Sequence, residues 1–333
     1  MLTLSRTIVV CAVVASVHGC AAPRSGAGVP GEGTSYASQD GWAKLDRKWG
    51  STSAVDVDAQ GNVWVFERCG ANTCAGSTLA PILRFDPSGK FTSSFGAGLF
   101  VFPHSIHVDR DGNVFVADAD GKDGKGHVVV KFSPEGKVLM TLGTPGVAGA
   151  TNQTFNRPSA VVTAPNGDIF VADGHGGNSN ARIVKFSRDG KFIRAWGHKG
   201  AAPGEFAELH AIAMDASGRI FVGDRGNNRI QIFDQNGNFI EEWKHFGRPT
   251  AIYIDASDTI YVADHASSAK VNPGVRRGIR IGSVKDGVVR KMIPGVGPEP
   301  DKENVPEGIA VDSSGNIYGA EVALRNVTKF SRN

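Results

Sequence analysis

His104, His210 and Glu307 are the residues of this 333-residue chain whose types and spacing best fit a single piece of chemistry. Each stands five residues before the same landmark: an Asp or its equivalent, a glycine three positions on, a short apolar run and a closing acid. The landmark recurs as Asp58 to Glu67, Asp109 to Asp118, Ala164 to Asp173, Asp215 to Asp224, Asp255 to Asp264 and Asp312 to Glu321, its last residues spaced by 51, 55, 51, 40 and 57 positions. The three metal-binding side chains fall on the second, fourth and sixth repeats, while Ser53, Ser159 and Thr250 occupy the same position in the others. If six units close into a ring, residues at one position in alternate units lie a third of a turn apart about its axis and converge there. Two imidazoles and a carboxylate suit zinc, and three protein ligands leave positions open for water or substrate. The same set is also that of non-haem iron enzymes.

The elements that must position these residues are β-strands. An alternating run such as Ile106 to Val108 leads through a tight turn to a second run, Val114 to Val116, then through a polar loop to a third and a fourth. Period-two alternation bounded by Gly, Asn and Asp turns marks half-buried antiparallel strands. The third runs are Val128 to Phe132, Arg182 to Phe186, Arg229 to Phe233 and Val327 to Phe330, and a fourth often ends in an aromatic residue and glycine, as in Lys191 to Gly197. Four strands in each of six units predict an all-β, six-bladed β-propeller of antiparallel blades. The segment Asp40 to Gly50 has the fourth-strand pattern but precedes the first landmark, and the sequence stops at Asn333 just after a third strand. An N-terminal strand is therefore expected to complete the last blade, which covers edges that would otherwise invite pairing with another chain.

A second ring of polar residues follows the landmark's closing acid: Arg68, Arg225 and His265 come immediately after it, and His175 one residue later. In an antiparallel pair the end of strand two lies beside the start of strand one, so these residues share a face with the axial cluster. Arg68 and Arg225 are candidates to grip a substrate carboxylate bidentately, and His175 to act as acid or base. The alternative for the arginines is pairing with neighbouring acids such as Glu67 and Asp224. His265 is a weaker candidate on the same face, and His107 is a spare ligand that packs more simply.

Composition narrows the classes. A net charge of +3 is too small to imply a nucleic-acid surface, and no basic run is interleaved with aromatics. The densest basic patch, Arg276 to Arg280, reads as a solvated loop. Residues 1–19 read as a signal peptide, with Arg6 before the apolar stretch Thr7 to Val17 and a lipobox-like ending at Cys20. Cleavage near Ala22 is the competing reading. Lipidation of Cys20 after loss of Cys11 leaves Cys69 and Cys74, a pair that can close a small disulfide loop in an oxidising compartment. Residues 20–39, rich in small residues and proline, read as a flexible tether, and 40–333 as the propeller. The expectation is an exported bacterial lipoprotein held to the cell envelope through Cys20, monomeric and without a nucleic-acid partner.

At the residues just named the chain resembles a known family. From about Arg68 to Asp264 it is similar to the catalytic domain of peptidyl-α-hydroxyglycine α-amidating lyase, a six-bladed propeller of NHL-type repeats. The similar stretches are Phe102 to Ile106, Val171 to His175 with Ala181 to Phe186, and Leu209 to Ala213 with Asp224-Arg225 and Asn228 to Gln231. The resemblance implies a lyase that cleaves the N–C bond of a C-terminal hydroxyglycine, releasing glyoxylate and a peptide amide, with zinc held by three histidines on the axis. Two of those histidines match His104 and His210, and the third falls at Glu307. The family's site arginines match Arg68 and Arg225. Its catalytic tyrosine falls at His175, and its axial calcium carboxylate falls at Gly308, which removes the donor for a structural calcium.

These departures broaden the expectation to a secreted, metal-dependent lyase or hydrolase on a small or peptide C-terminal substrate bearing a carboxylate, with zinc first and iron second as the cofactor. A calcium-dependent lactonase is the hydrolytic alternative, against which two imidazoles argue. A tethered binding module with no activity is the third.

Overall fold

The computed structural model describes residues 36–297 and 302–332. The signal-peptide and Cys20 expectations lie outside that range. Among the described residues the chain forms six sheets of four antiparallel strands. Blade one, for example, runs through Thr52–Val57, Val63–Glu67, Ile82–Phe85 and Phe91–Phe95, each strand pairing with the next. The sixth sheet consists of Gly308–Val311, Ile317–Glu321, Asn326–Arg332 and, outermost, Tyr36–Gln39. Ring closure by an N-terminal strand is thus as expected, but the strand lies earlier than expected, and the propeller starts before residue 40. Tyr36 pairs with Arg332 and Gln39 with Lys329. The segment Asp40 to Gly50 instead crosses from blade six to blade one. Gly41 turns the chain with φ +59, and Trp42 buries its ring against Tyr318 at 4.9 Å. Its aromatic residues serve as covers for an inter-blade seam, which is why their spacing mimics a fourth strand.

The core is divided as the ring requires. Six apolar clusters are each shared by two adjacent blades: Trp64 and Phe66 of blade one meet Val116 and Phe132 of blade two, and so on round to Val65 and Phe85 of blade one with Tyr318 and Val327 of blade six. Each blade is therefore stabilised by both neighbours, and the axis needs little apolar filling of its own. What does line it is a ring of aliphatic side chains three residues before each landmark: Val55, Ile106, Val161, Ile212, Ile252 and Ile309.

One expectation about the surface fails. Of the basic stretch Arg276 to Arg280, Arg280 lies in the third strand of blade five, Gly278–Ser283, and is buried beside Asp264 at 3.5 Å. Strand alternation turns it inward, where the landmark acid partners it.

Candidate metal centre on the propeller axis

The position five residues before the landmark is singled out by the backbone. In blades one to four the pairing of strands one and two slips at this residue, between Thr52 and Ala54, Pro103 and Ser105, Pro158 and Ala160, and Leu209 and Ala211. A bulge leaves one residue unpaired and re-aims its side chain, so Ser53, His104, Ser159 and His210 turn toward the axis. In blades five and six the residue stands just ahead of the strand, with Thr250 N–H bonded to Ala263 O and Glu307 N–H to Ala320 O. The segment leading into each bulge is pinned by the landmark's buried closing acid. Asp118 accepts from the backbone N–H of Val101 at 2.8 Å, and Asp224 from that of Ala207 at 2.9 Å. Burial pushes the Asp118 carboxyl up to about 7 although these bonds oppose it.

His104, His210 and Glu307 converge as expected. Glu307 Oε1 is 3.8 Å from His104 Nε2 and 3.8 Å from His210 Nε2, and the three residues are 4%, 3% and 8% exposed. These gaps are too long for hydrogen bonds. They fit groups facing a shared point, since ligands each about 2 Å from an ion stand roughly 3–4 Å apart. The tautomers are set from behind. His104 Nδ1 donates to Ser159 O and His210 Nδ1 to Thr250 O, both at 2.6 Å, so each Nε2 carries a lone pair aimed inward. Among the described residues, both Nε2 atoms are buried with no hydrogen-bond partner. Such carbonyl-to-histidine bonds fix ring orientation in metal sites and raise ligand basicity. Burial holds both imidazoles far below the ordinary histidine range, and neighbouring histidines and arginines add to the effect, so they are neutral at pH 7. Glu307 behaves oppositely. Burial disfavours its charge, but the nearby positive or protonatable groups His265, Arg68, His104 and Arg225 outweigh burial and hold the carboxyl below its usual range.

His175 joins this cluster more closely than the sequence implied. Ring nitrogens of His104, His175 and His210 all lie within 4.8 Å of one another. The ring centroid of His175 is 4.3 Å from that of His104 and 5.1 Å from that of His210. Burial, then Arg225, Arg157 and Arg68, push it down to about 3. His265 stands further off, 6.5 Å between its ring centroid and that of His210. His107 is not part of the cluster. It lies beyond the aliphatic ring, where Nε2 meets the Thr163 hydroxyl at 2.9 Å and Nδ1 faces Asp56 at 3.5 Å.

The arginines differ from each other. Arg68 is 4% exposed, stacks over the Phe102 ring at 3.9 Å and donates through Nε to Pro103 O and through Nη1 to Asn72 Oδ1. Its Nη2 faces Glu307 at 3.7 Å. Asn72 sits inside the loop closed by the Cys69–Cys74 disulfide, which therefore holds a partner of Arg68 in place. Arg225 is occupied by Glu208, through Nη2 to Oε1 at 2.6 Å and Nε to Oε2 at 3.1 Å, and Arg248 shares that carboxylate at 3.4 Å. The expected alternative partners are engaged elsewhere: Glu67 with Arg47, and Asp224 with Arg229.

Several site residues were missed from sequence. Phe102, Arg157, Glu208 and Arg248 all stand seven residues before a landmark, two before the axial position, and flank Arg68, Arg225 and His175. Reading the repeat alignment two columns upstream would have found them. Arg157 is the rim cation whose Nε is buried without a partner.

Comparison with known proteins bears on the fold and the overall sequence. The family model described as a 6-bladed beta-propeller, DUF5128, matches residues 154–246. Peptidyl-alpha-hydroxyglycine alpha-amidating lyase 1 of Drosophila melanogaster is 34% identical over 183 residues, 49% of this chain and 32% of that protein. The chain is similar in sequence to amidating lyases. NHL repeat-containing protein 3 of Homo sapiens is 31% identical over 198 residues, 57% of this chain and 54% of that one. The matches thus span about a third to a half of these relatives' length. Among solved structures, a streptogramin B lyase shares the fold with TM-score 0.57 at 16% identity, over 90% of this chain and 98% of that chain. A gluconolactonase from Xanthomonas campestris does so with TM-score 0.62 at 11% identity, over 90% of each.

Proposed function

We propose that this chain is an exported, metal-dependent lyase acting on a small hydroxylated substrate that bears a carboxylate, at the upper mouth of the propeller axis. The observation that carries the reading is the pair of buried, unpartnered Nε2 atoms of His104 and His210, each oriented by a carbonyl from the next blade and each facing the ionised Glu307. A buried acceptor left unsatisfied costs about 1–3 kcal/mol, so a cluster of them has a reason to exist only if something electropositive fits between. Neutral imidazoles and a carboxylate are the donor set of zinc or iron(II) and a poor one for calcium. Gly308, next to Glu307, offers no further carboxylate.

A divalent ion held by His104, His210 and Glu307 would supply polarisation of a substrate oxygen or acidification of a water. The chain's own residues do the rest. Arg68, immobilised by Phe102, Pro103 and Asn72, presents positive charge where a substrate carboxylate would lie. Arg225 contributes to the same field while tying Glu208 into the rim. Glu307 offsets the excess of positive charge and limits the net charge of the centre. The sequence similarity to amidating lyases supports cleavage of a hydroxyglycyl N–C bond as the reaction to test first. Purified chain loaded in turn with zinc and with iron(II) and given a peptide ending in α-hydroxyglycine is expected to release glyoxylate with at least one of the two ions, and His104→Ala to abolish that release. A fully loaded chain that releases none would remove the amidating assignment and leave the metal centre standing.

A further inference from the structure

We propose that His175 is a ligand, which makes the centre three imidazoles and one carboxylate and not two imidazoles and one carboxylate with a separate proton carrier. The proposal deepens the metal reading above and rests on it. Three observations carry it. First, ring nitrogens of His104, His175 and His210 lie within 4.8 Å of one another, and Glu307 Oε1 reaches two of the three rings at 3.8 Å. Second, His175 Nδ1 is buried without a hydrogen-bond partner, like the two Nε2 atoms it accompanies. An imidazole acting as proton carrier would be expected to have a partner at each nitrogen, and among the described residues Nδ1 has none. Third, the three rings form a near-equilateral triangle, with centroid separations of 4.3, 4.7 and 5.1 Å, and no hydrogen bond links any two of them. Three neutral rings gathered so closely, with lone pairs unsatisfied, are arranged as donors to one acceptor.

The ligand count changes which ions can react. Four protein ligands close a tetrahedral zinc site, whereas an ion that takes six ligands retains two positions. Those two positions suit a bidentate substrate, such as an α-hydroxycarboxylate bound through its hydroxyl and one carboxylate oxygen, with Arg68 beside the other oxygen. The centre is accordingly suited to iron(II), manganese(II) or cobalt(II).

Cobalt(II) titration of the purified chain tests this without any assay of turnover. Wild type is expected to bind one cobalt per chain with the weak visible absorption of a six-coordinate ion. Loss of a second-sphere partner already weakens metal affinity about 10–100-fold, so His175→Ala should weaken it by roughly 100-fold or more, with partial recovery of affinity and spectrum on adding free imidazole. His175→Asp, which keeps a donor, should bind cobalt with an altered spectrum, and circular dichroism on each variant separates misfolding from loss of a ligand. If folded His175→Ala binds cobalt with wild-type affinity and spectrum while His104→Ala does not, His175 is no ligand and the two-imidazole reading stands. If wild type itself takes up no cobalt, the metal reading fails and this inference fails with it.

Discussion

The two mouths of the propeller axis are built from the same six strands and behave oppositely. On the lower side of the aliphatic ring a cavity of about 440 Å³ is lined by Asp56, His107, Thr163 and Tyr253 among others. On the upper side, between that ring and the axial cluster, a space of about 80 Å³ is lined by His104, His210 and Glu307. Size would favour the lower mouth, but hydrogen bonding favours the upper. Below, Asp56 accepts from the backbone N–H groups of Val57 and Val108, both nitrogens of His107 face a partner, and Tyr253 donates to Val311 O. Above, ring nitrogens are left open while their opposite nitrogens are tied down. A satisfied polar network stabilises the contact between blades, and an unsatisfied, oriented one is prepared for a ligand. The lesson is that chemical poise, and not volume, identifies the working end of this ring.

The sharpest way to break that contrast is to exchange losses between the mouths. His104→Ala should abolish metal uptake and all metal-dependent activity, with little loss of fold. His107→Ala should leave metal affinity within about twofold of wild type and lower stability by about 1 kcal/mol, the cost of losing hydrogen bonds to half-buried partners. Metal titration and urea unfolding on both variants measure this, and a His107 variant that loses metal would erase the distinction.

A smaller effect separates the two arginines. Removing Arg68, which faces the cluster directly, should weaken binding of a carboxylate-bearing substrate by about 2–3 kcal/mol, as for a lost charge-assisted pair. Arg225→Ala should act mostly by releasing Glu208, with a stability cost of about 1 kcal/mol and a weaker effect on substrate. Substrate titrations against each variant check the order, and equal effects would refute it.

The smallest net effect is on the pH dependence of the wild type, where opposing groups offset one another. In the metal-free protein the upper imidazoles stay neutral well below pH 6.5, His175 down to about 3. As pH falls below 6.5 the unfolded chain binds protons that the folded chain refuses, so stability falls by up to about 1.4 kcal/mol per pH unit for each such histidine. Asp118, pushed up to about 7, and Glu321, also pushed up to about 7, act in the other direction: their contribution is present at low pH and lost as pH rises through 7. The net slope is therefore shallow, and a His104→Gln, His210→Gln double variant should be less acid-sensitive than wild type in unfolding measured at pH 7.5 and 5.

Much of this was legible in the sequence because a repeat makes position informative. The landmark fixed six blades, and counting back five residues found His104, His210 and Glu307, since equivalent positions must meet at the axis. What stayed hidden depends on partners that repeat spacing does not report. Ser159 and Thr250 read as non-ligands, yet their backbone carbonyls aim the histidines, and no side-chain pattern marks a carbonyl. His175 sits on a loop whose path the strand pattern does not constrain, so its approach to the other rings could not be read. The sequence offered Asp224 as the alternative partner of Arg225, whereas the actual partner, Glu208, belongs to the column seven residues before the landmark. The closing strand was misplaced because Trp42 and Trp49 cover a seam with the same spacing that a fourth strand uses.

Side chains from separate blades are proposed to grip one ion on the axis. Anomalous diffraction from crystals of the chain soaked in zinc or cobalt would locate that ion. A single strong peak is expected about 2.0–2.2 Å from His104 Nε2, His210 Nε2 and a Glu307 oxygen. A peak elsewhere, or none at saturating metal, would contradict it.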